Sequence, residues 1–138
     1  MHEPQWTELH ETALAMAWRA RSHAWAPYSG FKVGCALLFP GGEIVPGCNV
    51  ENASYGLTQC AERCAVCAAV ARGLLGFTDA IVVTDLEKPA PPCGACRQVL
   101  FEFSPGATVW LVGSGGMKSR HIVSELLPEA FRFDGPGR

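Results

Sequence analysis

The chain has 138 residues, the size of one globular domain, so we expect residues 1–138 to form a single domain. Hydrophobic residues make up 49% and charged residues only 17%, which indicates a globular chain and favours association with other subunits. A net charge of −2 without any basic run argues against a nucleic-acid partner. Since no stretch approaches the roughly 20 apolar residues of a membrane span and no signal peptide is visible, we expect a soluble cytoplasmic protein.

The first half of the sequence predicts a helix followed by a β-hairpin. Apolar residues recur at helical spacing from about Gln5 to Trp25, and Pro27 ends this segment. An apolar, β-favouring run from Phe31 to Phe39 is followed by the turn residues Pro40-Gly41-Gly42 and a second extended segment from Glu43 to Cys48.

The second half predicts alternating helices and strands. In chain order these are a helix from about Cys60 to Gly73, a strand from Ala80 to Thr84, a helix from Cys93 or Gly94 to Phe103, a strand from Thr108 to Val112 and a helix from Ile122 to Leu127. Strands that alternate with helices favour an α/β fold in which helices cover both faces of one sheet.

Three of the seven cysteines have the spacing of metal ligands. Cys93 and Cys96 form a C-x-x-C pair, and Cys60 is the natural third ligand. Thiolates suit zinc, and catalytic zinc sites use three protein ligands and leave a fourth position open. One alternative ligand set is Cys60, Cys64 and Cys67, which share one helical face; otherwise Cys64 and Cys67 are small core residues.

Glu62 lies two residues from Cys60, so it cannot easily bind the same ion but can transfer protons beside it. The alternative is an exposed acid that favours the helix dipole. Because Cys60 and Cys93 fall at predicted helix starts, backbone amides should stabilise their thiolates. The adjacent Arg63 is either a further positive charge for these thiolates or a solvated helix residue.

Several sequence blocks extend this pattern over nearly the whole chain. They are Ala26-Pro27-Tyr28-Ser29 with Phe31, Val33 and Gly34; Gly47 to Tyr55; Cys60-Ala61-Glu62-Arg63; Pro92 to Leu100; and Glu125-Leu126-Leu127-Pro128 with Phe131. In this order and at these separations, the chain resembles the small cytidine deaminases that hold zinc with three cysteines and act on free nucleosides.

The resemblance implies a three-layer α-β-α sandwich with a five-stranded mixed sheet, whose fifth strand would lie around Met117 to His121. It implies one Zn²⁺ per subunit, held by Cys60, Cys93 and Cys96. The implied reaction is hydrolytic deamination of cytidine and 2′-deoxycytidine to uridine and 2′-deoxyuridine, with release of ammonia, in pyrimidine salvage. Glu62 would be the catalytic residue.

The resemblance also assigns substrate contacts. Asn49 and Glu51 lie two apart on an extended segment, so their side chains point the same way, and both would bind the ribose 3′-hydroxyl. Phe31 would pack on the base, and the backbone amide of Ala61 would meet the ring carbonyl. Core packing is the alternative for Phe31, and a loop contact is the alternative for Asn49.

Three further roles follow from the family. Arg63 would hydrogen-bond the zinc ligands. Phe131 would reach into a neighbouring subunit's site, with Tyr55 in the surrounding subunit contacts, which implies a homotetramer with shared active sites. Two positions depart from the pattern, since many relatives carry Ser at Pro91 and Thr at Cys64.

Two other functions are compatible with parts of the sequence. A deaminase of the same fold could act on a modified cytosine nucleoside, such as blasticidin S or an N4-substituted cytidine. A zinc-stapled binding module without catalysis would need a fourth protein ligand, and it would leave Glu62 without a role.

Overall fold

The computed structural model describes residues 5–133, so the predicted domain of residues 1–138 extends at both ends beyond the described residues. Helices and strands alternate along the chain in the order α1 (Glu8–Ser22), β1 (Val33–Leu38), β2 (Ile44–Cys48), α2 (Ala61–Ala71), β3 (Asp79–Thr84), α3 (Gly94–Phe103), β4 (Thr108–Val112) and β5 (Lys118–Ile122), with short 3₁₀ helices at Tyr55–Leu57 and Val123–Leu126.

The five strands form one mixed sheet in the order β2-β1-β3-β4-β5. Strand β1 runs antiparallel to both β2 and β3, whereas β3 and β4 are parallel and β5 returns antiparallel to β4. The parallel pair needs a crossover connection, which α3 supplies. The predicted five-stranded mixed sheet is therefore confirmed, including a fifth strand close to its expected position.

Helices cover both faces of this sheet. Successive side chains of the central strands point to opposite faces, so both faces are apolar and each packs against helices. On one face, Ala13 and Ala17 of α1 pack against Ala36 and Ile81. On the other face, α2 and α3 pack over a separate cluster that includes Leu37. Each of these buried side chains contributes to the hydrophobic stabilisation of the sandwich, with roughly 1.5–3 kcal/mol for a large residue such as Leu37. The α-β-α arrangement predicted from the sequence is confirmed.

Helix α1 is shorter than predicted because both of its ends are capped. At the N-terminus, the Thr7 hydroxyl accepts a hydrogen bond from the backbone of His10, and the Thr7 backbone N–H donates to His10 Nδ1 at 3.0 Å. At the C-terminus, the backbone N–H of His23 donates to the carbonyls of Ala20 and Arg21. None of the helices within residues 5–133 combines the length and apolar character needed to cross a membrane.

The predicted last helix from Ile122 to Leu127 is wrong. The structure has a single 3₁₀ turn at Val123–Leu126 instead. Pro128 explains the difference, since a proline disfavours the helical conformation at the preceding residue, and Leu127 is indeed outside the helical region at φ −141° and ψ 72°.

Gly47 brings β2 into direct backbone contact with α2. A Cβ atom at this position would lie 2.5 Å from the backbone nitrogen of Ala65 and 2.7 Å from the carbonyl oxygen of Ala61. Both distances are far below van der Waals contact, and backbone atoms cannot move aside without moving the helix. Gly47 therefore fixes how closely the start of α2 approaches the sheet.

We expect Gly47→Ala to lower the free energy of unfolding by about 1–3 kcal/mol, because the added methyl group must push α2 off the sheet. Urea denaturation monitored by circular dichroism measures this change. Gly106→Ala is the matched control: Gly106 is exposed and a Cβ there would meet nothing within 4 Å, so its effect should stay within about 0.5 kcal/mol. Equal stabilities for the two variants would contradict the proposed contact.

Candidate metal centre and active site

Three cysteine sulfurs meet where α2 and α3 begin. Cys60 is the N-cap residue of α2, Cys93 is the N-cap residue of α3, and Cys96 lies in the first turn of α3. The Sγ atoms of Cys60 and Cys93 are 3.8 Å apart, those of Cys93 and Cys96 are 3.3 Å apart, and all three lie within 4.8 Å of one another. Among the described residues 5–133, these three cysteines form the group whose ligand atoms lie close enough together to share one metal ion.

The geometry of this group fits zinc. Two thiolates on one tetrahedral zinc, each with a bond of ~2.3 Å, lie about 3.8 Å apart. The observed sulfur distances of 3.8 and 3.3 Å match this value after only small side-chain adjustments. Cys60, Cys93 and Cys96 are thus positioned to bind a zinc ion, and no fourth metal-ligating side chain within residues 5–133 belongs to this group.

The alternative ligand set on one face of α2 is not supported. Cys64 and Cys67 do not belong to the metal-binding group, although both lie on α2, the helix that Cys60 caps. Cys64 is half-buried, and burial raises the pKa of its thiol. Cys67 is exposed, so the expectation that it packs in the core is wrong. Helical spacing placed these cysteines on one face but could not show how far that face lies from α3.

The pKa values of Cys60 and Cys96 differ from those of ordinary cysteines. The hydrogen bond from Cys96, followed by those from Arg63 and Cys93, lowers the pKa of Cys60 to about 5. The pKa of Cys96 is raised, first by its hydrogen bond with Cys60 and then by burial. The two pKa values move in opposite directions because one ionised sulfur makes ionisation of its neighbour more costly. The first proton released from this pair of sulfurs therefore leaves more readily than it would from an isolated cysteine, and Arg63 stabilises the resulting negative charge.

Arg63 supplies a positive charge to this group. Its Nη2 donates to the sulfur of Cys60 and to the carbonyl oxygen of Thr58, both at 3.4 Å. The thiolate of Cys60 in turn raises the pKa of Arg63, so the guanidinium stays charged. Three thiolates on Zn²⁺ leave a net charge of about −1, which Arg63 is placed to offset. That role is still a prediction, but Arg63 is half-buried rather than a fully solvated helix residue.

Glu62 is buried beside the sulfurs. Only 4% of the residue is exposed, and burial raises the pKa of its carboxyl group above the ordinary value. The alternative of an exposed acid at the start of α2 is therefore excluded. A carboxyl group with a raised pKa exchanges protons more readily near neutral pH than an exposed one does.

A cavity of about 220 Å³ opens in front of Glu62. It lies at the carboxyl end of β3, next to the segment that precedes Cys93. The residues predicted from the sequence that line it are Phe31, Asn49, Cys60, Ala61, Glu62 and Cys93. The structure thus places six predicted site residues, from four separate segments of the chain, around one cavity.

Phe31 and Asn49 line the same cavity as Cys60 and Cys93. Phe31 is 38% exposed, which does not support its alternative role in the core. The side chain of Asn49 is used by the chain itself, because its Nδ2 donates to the carbonyl of Phe31 at 2.8 Å and its Oδ1 accepts from the N–H of Val33 at 2.9 Å. The loop contact considered for Asn49 is therefore real, and Asn49 holds the segment that carries Phe31.

Glu51 lies in a neighbouring pocket rather than in the main cavity. It accepts hydrogen bonds from the backbone N–H groups of Tyr28 and Ser29 at 2.9 and 3.1 Å and from the Ser29 hydroxyl. These bonds, above all the one from the Ser29 side chain, lower the pKa of Glu51. Thr58 lines both this pocket and the main cavity, so the two spaces adjoin.

Tyr55 and Phe131 lie on the surface of the single chain. Tyr55 is 75% exposed and packs edge-on against Tyr28, with ring centroids 5.9 Å apart. Phe131 is 72% exposed, and its carbonyl oxygen accepts a hydrogen bond from Gln98. Neither residue lines the main cavity, so their predicted contribution depends on a second subunit.

Sequence reasoning missed two residues at the site. Arg97 donates from Nε to the carbonyl of Pro92 and from Nη1 to the carbonyl of Leu126, both at 2.9 Å, and so connects the turn before Cys93 to the last 3₁₀ helix. Thr84 lines the cavity from the end of β3. The signal for Thr84 was its place at the carboxyl end of a predicted strand, where ligands of α/β sheets bind. Pro91, which departs from the family pattern, also lines the cavity.

Comparisons with known proteins agree with this site. A family model described as the cytidine and deoxycytidylate deaminase zinc-binding region matches residues 7–112. The cytidine deaminase of Halalkalibacterium halodurans is 50% identical over 114 residues, which cover 82% of this chain and 86% of that protein. The cytidine deaminase of Sporosarcina psychrophila is 47% identical over 122 residues, 88% of this chain and 90% of that protein. The crystal structure of cytidine deaminase from Burkholderia pseudomallei aligns with a TM-score of 0.85 at 46% identity, covering 88% of this chain and 98% of that one.

Substituting any one of Cys60, Cys93 or Cys96 by alanine should abolish stoichiometric zinc binding, because two thiolates cannot hold the ion as three do. Zinc measured by atomic emission on purified protein tests this. Cys67→Ala is the control, since it removes an exposed thiol from the same helix as Cys64 and should keep one zinc per chain. Loss of zinc in the control would restore the alternative ligand set.

Arg63→Gln should weaken zinc retention by roughly 10- to 100-fold, because the variant loses the charged donor to the Cys60 sulfur. Competition with a chromogenic chelator measures the affinity. Arg72→Gln removes the same charge from the exposed C-terminal end of α2 and should leave zinc affinity unchanged. If both variants hold zinc as the wild type does, Arg63 has no role toward the metal.

Proposed function

Because the chain belongs to the family of cytidine and deoxycytidylate deaminases, we propose that it catalyses zinc-dependent hydrolysis of cytidine and 2′-deoxycytidine to uridine and 2′-deoxyuridine, with release of ammonia. The observation that carries this proposal is that the buried Glu62 lines the same cavity as two of three cysteines positioned to bind one ion. A zinc-stapled binding module does not account for a buried acid in an open cavity.

Cys60, Cys93 and Cys96 would hold the metal. When bound, zinc supplies a Lewis acid that lowers the pKa of a water enough for the water to attack a ring carbon near neutral pH. Arg63 offsets the negative charge of the thiolates through its bond to Cys60.

Glu62 moves the protons. Its carboxylate accepts a proton from the attacking water while the bond between the water oxygen and C4 of the pyrimidine forms, and it delivers that proton to N3. The remaining proton of that water, now on the C4 hydroxyl, passes through Glu62 to the exocyclic amine, after which the bond between C4 and that nitrogen breaks, ammonia leaves and C4 becomes a carbonyl carbon. One water is consumed for each uridine and ammonia formed. The raised pKa of Glu62 supports this role, since both its protonated and its ionised forms are needed.

Phe31, Asn49 and the backbone amide of Ala61 would position the nucleoside, and the position of all three on the cavity supports this. An amide nitrogen carries two hydrogens, so Asn49 can bond the Phe31 carbonyl and still offer one hydrogen to the ribose 3′-hydroxyl. Glu51 would accept from the ribose 3′-hydroxyl where its pocket adjoins the cavity at Thr58. Since none of these contacts needs the 2′-hydroxyl, cytidine and 2′-deoxycytidine should both be substrates.

We further propose a cytoplasmic homotetramer of single-domain subunits that acts in pyrimidine salvage. The exposed aromatic residues Tyr55 and Phe131 support shared active sites, because large apolar side chains at this level of exposure are typical of surfaces that become buried between subunits.

Analytical ultracentrifugation should show a species of four chains, and Phe131→Ala should lower kcat/KM by at least about tenfold by removing an aromatic contact of ~1.5 kcal/mol or more from the neighbouring site. Phe133→Ala, which truncates another exposed phenylalanine two residues away, is the control and should stay near wild-type activity. A fully active monomer would refute the shared site.

Glu62→Gln should retain zinc but lose activity by roughly 10²- to 10⁴-fold, because the amide cannot accept and return a proton. The assay measures ammonia released from cytidine and from 2′-deoxycytidine, with zinc quantified in the same samples. Glu8→Gln changes an exposed acid in the first turn of α1 and is the matched control. Wild-type protein that releases ammonia from neither nucleoside would refute the proposed function, and an active Glu62→Gln variant would refute the mechanism alone.

A further inference from the structure

Thr84 carries a buried hydroxyl group that has no hydrogen-bond partner. It is the last residue of β3, only 2% of it is exposed, and it lines the cavity that holds Glu62. Its Oγ1 is one of the few buried side-chain polar atoms within residues 5–133 that lack a partner. A buried hydroxyl without a partner is unusual in proteins, because it loses its bonds to water without replacement.

The direction of the strand places this side chain on the cavity side of the sheet. Val82, two residues earlier, also lines the cavity and packs in the cluster beneath α2 and α3. Val83, between them, packs on the opposite face against α1. Val33, which pairs with Thr84 across the sheet, lines the cavity as well. Thr84 therefore belongs to the floor of the cavity.

The other unpaired atoms have different surroundings. The Nε of Arg63 lies on the guanidinium that contacts Cys60, and the Oγ of Ser104 lies at the C-terminal cap of α3 in a residue that does not line the cavity. Of these three residues, Thr84 is the one that brings an unpaired hydroxyl group to the cavity. Ser104 has an unpaired hydroxyl group away from the cavity and can therefore serve as a control.

We propose that the Thr84 hydroxyl hydrogen-bonds the pyrimidine base of the bound nucleoside, and that it is left unpaired in the free protein for this contact. The inference rests on the proposed function. The base is favoured over the sugar because the pocket of Glu51, where the ribose would bind, is lined by Tyr28, Ser29, Tyr55 and Thr58 and not by Thr84. A hydroxyl both donates and accepts hydrogen bonds, so it can bond a polar atom of the base in the substrate and in the product.

This assignment predicts effects of opposite sign in one variant. Thr84→Val keeps the shape of the side chain but removes the hydroxyl. In the zinc-loaded protein without ligand, the variant should unfold a few degrees higher than the wild type, because it no longer buries an unpaired polar atom. It should also bind uridine roughly three- to tenfold more weakly, because it loses one neutral hydrogen bond.

Calorimetric titration with uridine, 2′-deoxyuridine and 3′-deoxyuridine measures the affinity, and the loss should be equal for all three because the base is common to them. Thr84→Ser, which restores a hydroxyl, should return the affinity to within about twofold of the wild type. Ser104→Ala is the control: it removes the other unpaired hydroxyl, so it should leave uridine affinity unchanged.

Uridine affinity that is unchanged in Thr84→Val would overturn the inference, as would a lower unfolding temperature, which would mean that the hydroxyl already has a structural partner. Unequal losses among the three ligands would overturn the assignment to the base. Wild-type protein that binds uridine but releases no ammonia from cytidine would refute the proposed function while leaving the Thr84 contact standing.

Discussion

The meeting of two helix N-termini at the carboxyl end of β3 is the constraint on which the site depends. Cys60 and Cys93 cap α2 and α3, so their sulfurs lie where unpaired backbone amides and the helix dipoles favour negative charge. The approach of α2 to the sheet is set by Gly47, and the turn before Cys93 is held by Arg97. The metal-binding group is therefore built by backbone packing, and the charge of Arg63 is added to it.

Strand β3 links this site to the opposite face of the sheet. At its first residue, the Asp79 carboxylate receives hydrogen bonds from Trp110 Nε1 at 2.8 Å and from His10 Nε2 at 3.0 Å. His10 Nδ1 accepts from the Thr7 backbone, so Nε2 is the ring nitrogen that donates to Asp79. The Thr7 hydroxyl also lies 2.8 Å from His10 Nδ1, so these three side chains connect the N-terminal cap of α1 to the start of β3. One end of β3 thus has its polar groups satisfied within the chain, and the other presents Thr84 to the cavity.

The sequence predicted the metal-binding residues well because their signal is local. A C-x-x-C pair at a helix start fixes two sulfurs by backbone geometry, and the third needed only the family pattern to place Cys60 opposite them. Glu51 shows the limit of such reasoning. Its spacing from Asn49 suggested a common direction, yet its carboxylate holds the backbone of Tyr28 and Ser29, a contact over more than 20 residues that no periodicity encodes. The last helix was predicted wrongly because Pro128 disfavours the helical conformation at Leu127, which leaves only the 3₁₀ turn at Val123–Leu126.

The distance along the chain between Cys60 and Cys93 has a consequence for folding. The two residues are 33 positions apart in the sequence, and the segment between them contains all of α2, all of β3 and the connection to α3. An ion held by both sulfurs closes this loop, and closing a loop of that size removes conformational entropy from the unfolded chain in the way that a covalent cross-link does. The contacts that prepare the reaction centre are therefore also long-range contacts of the fold, so zinc bound there would add to the free energy of unfolding as well as supply the reaction.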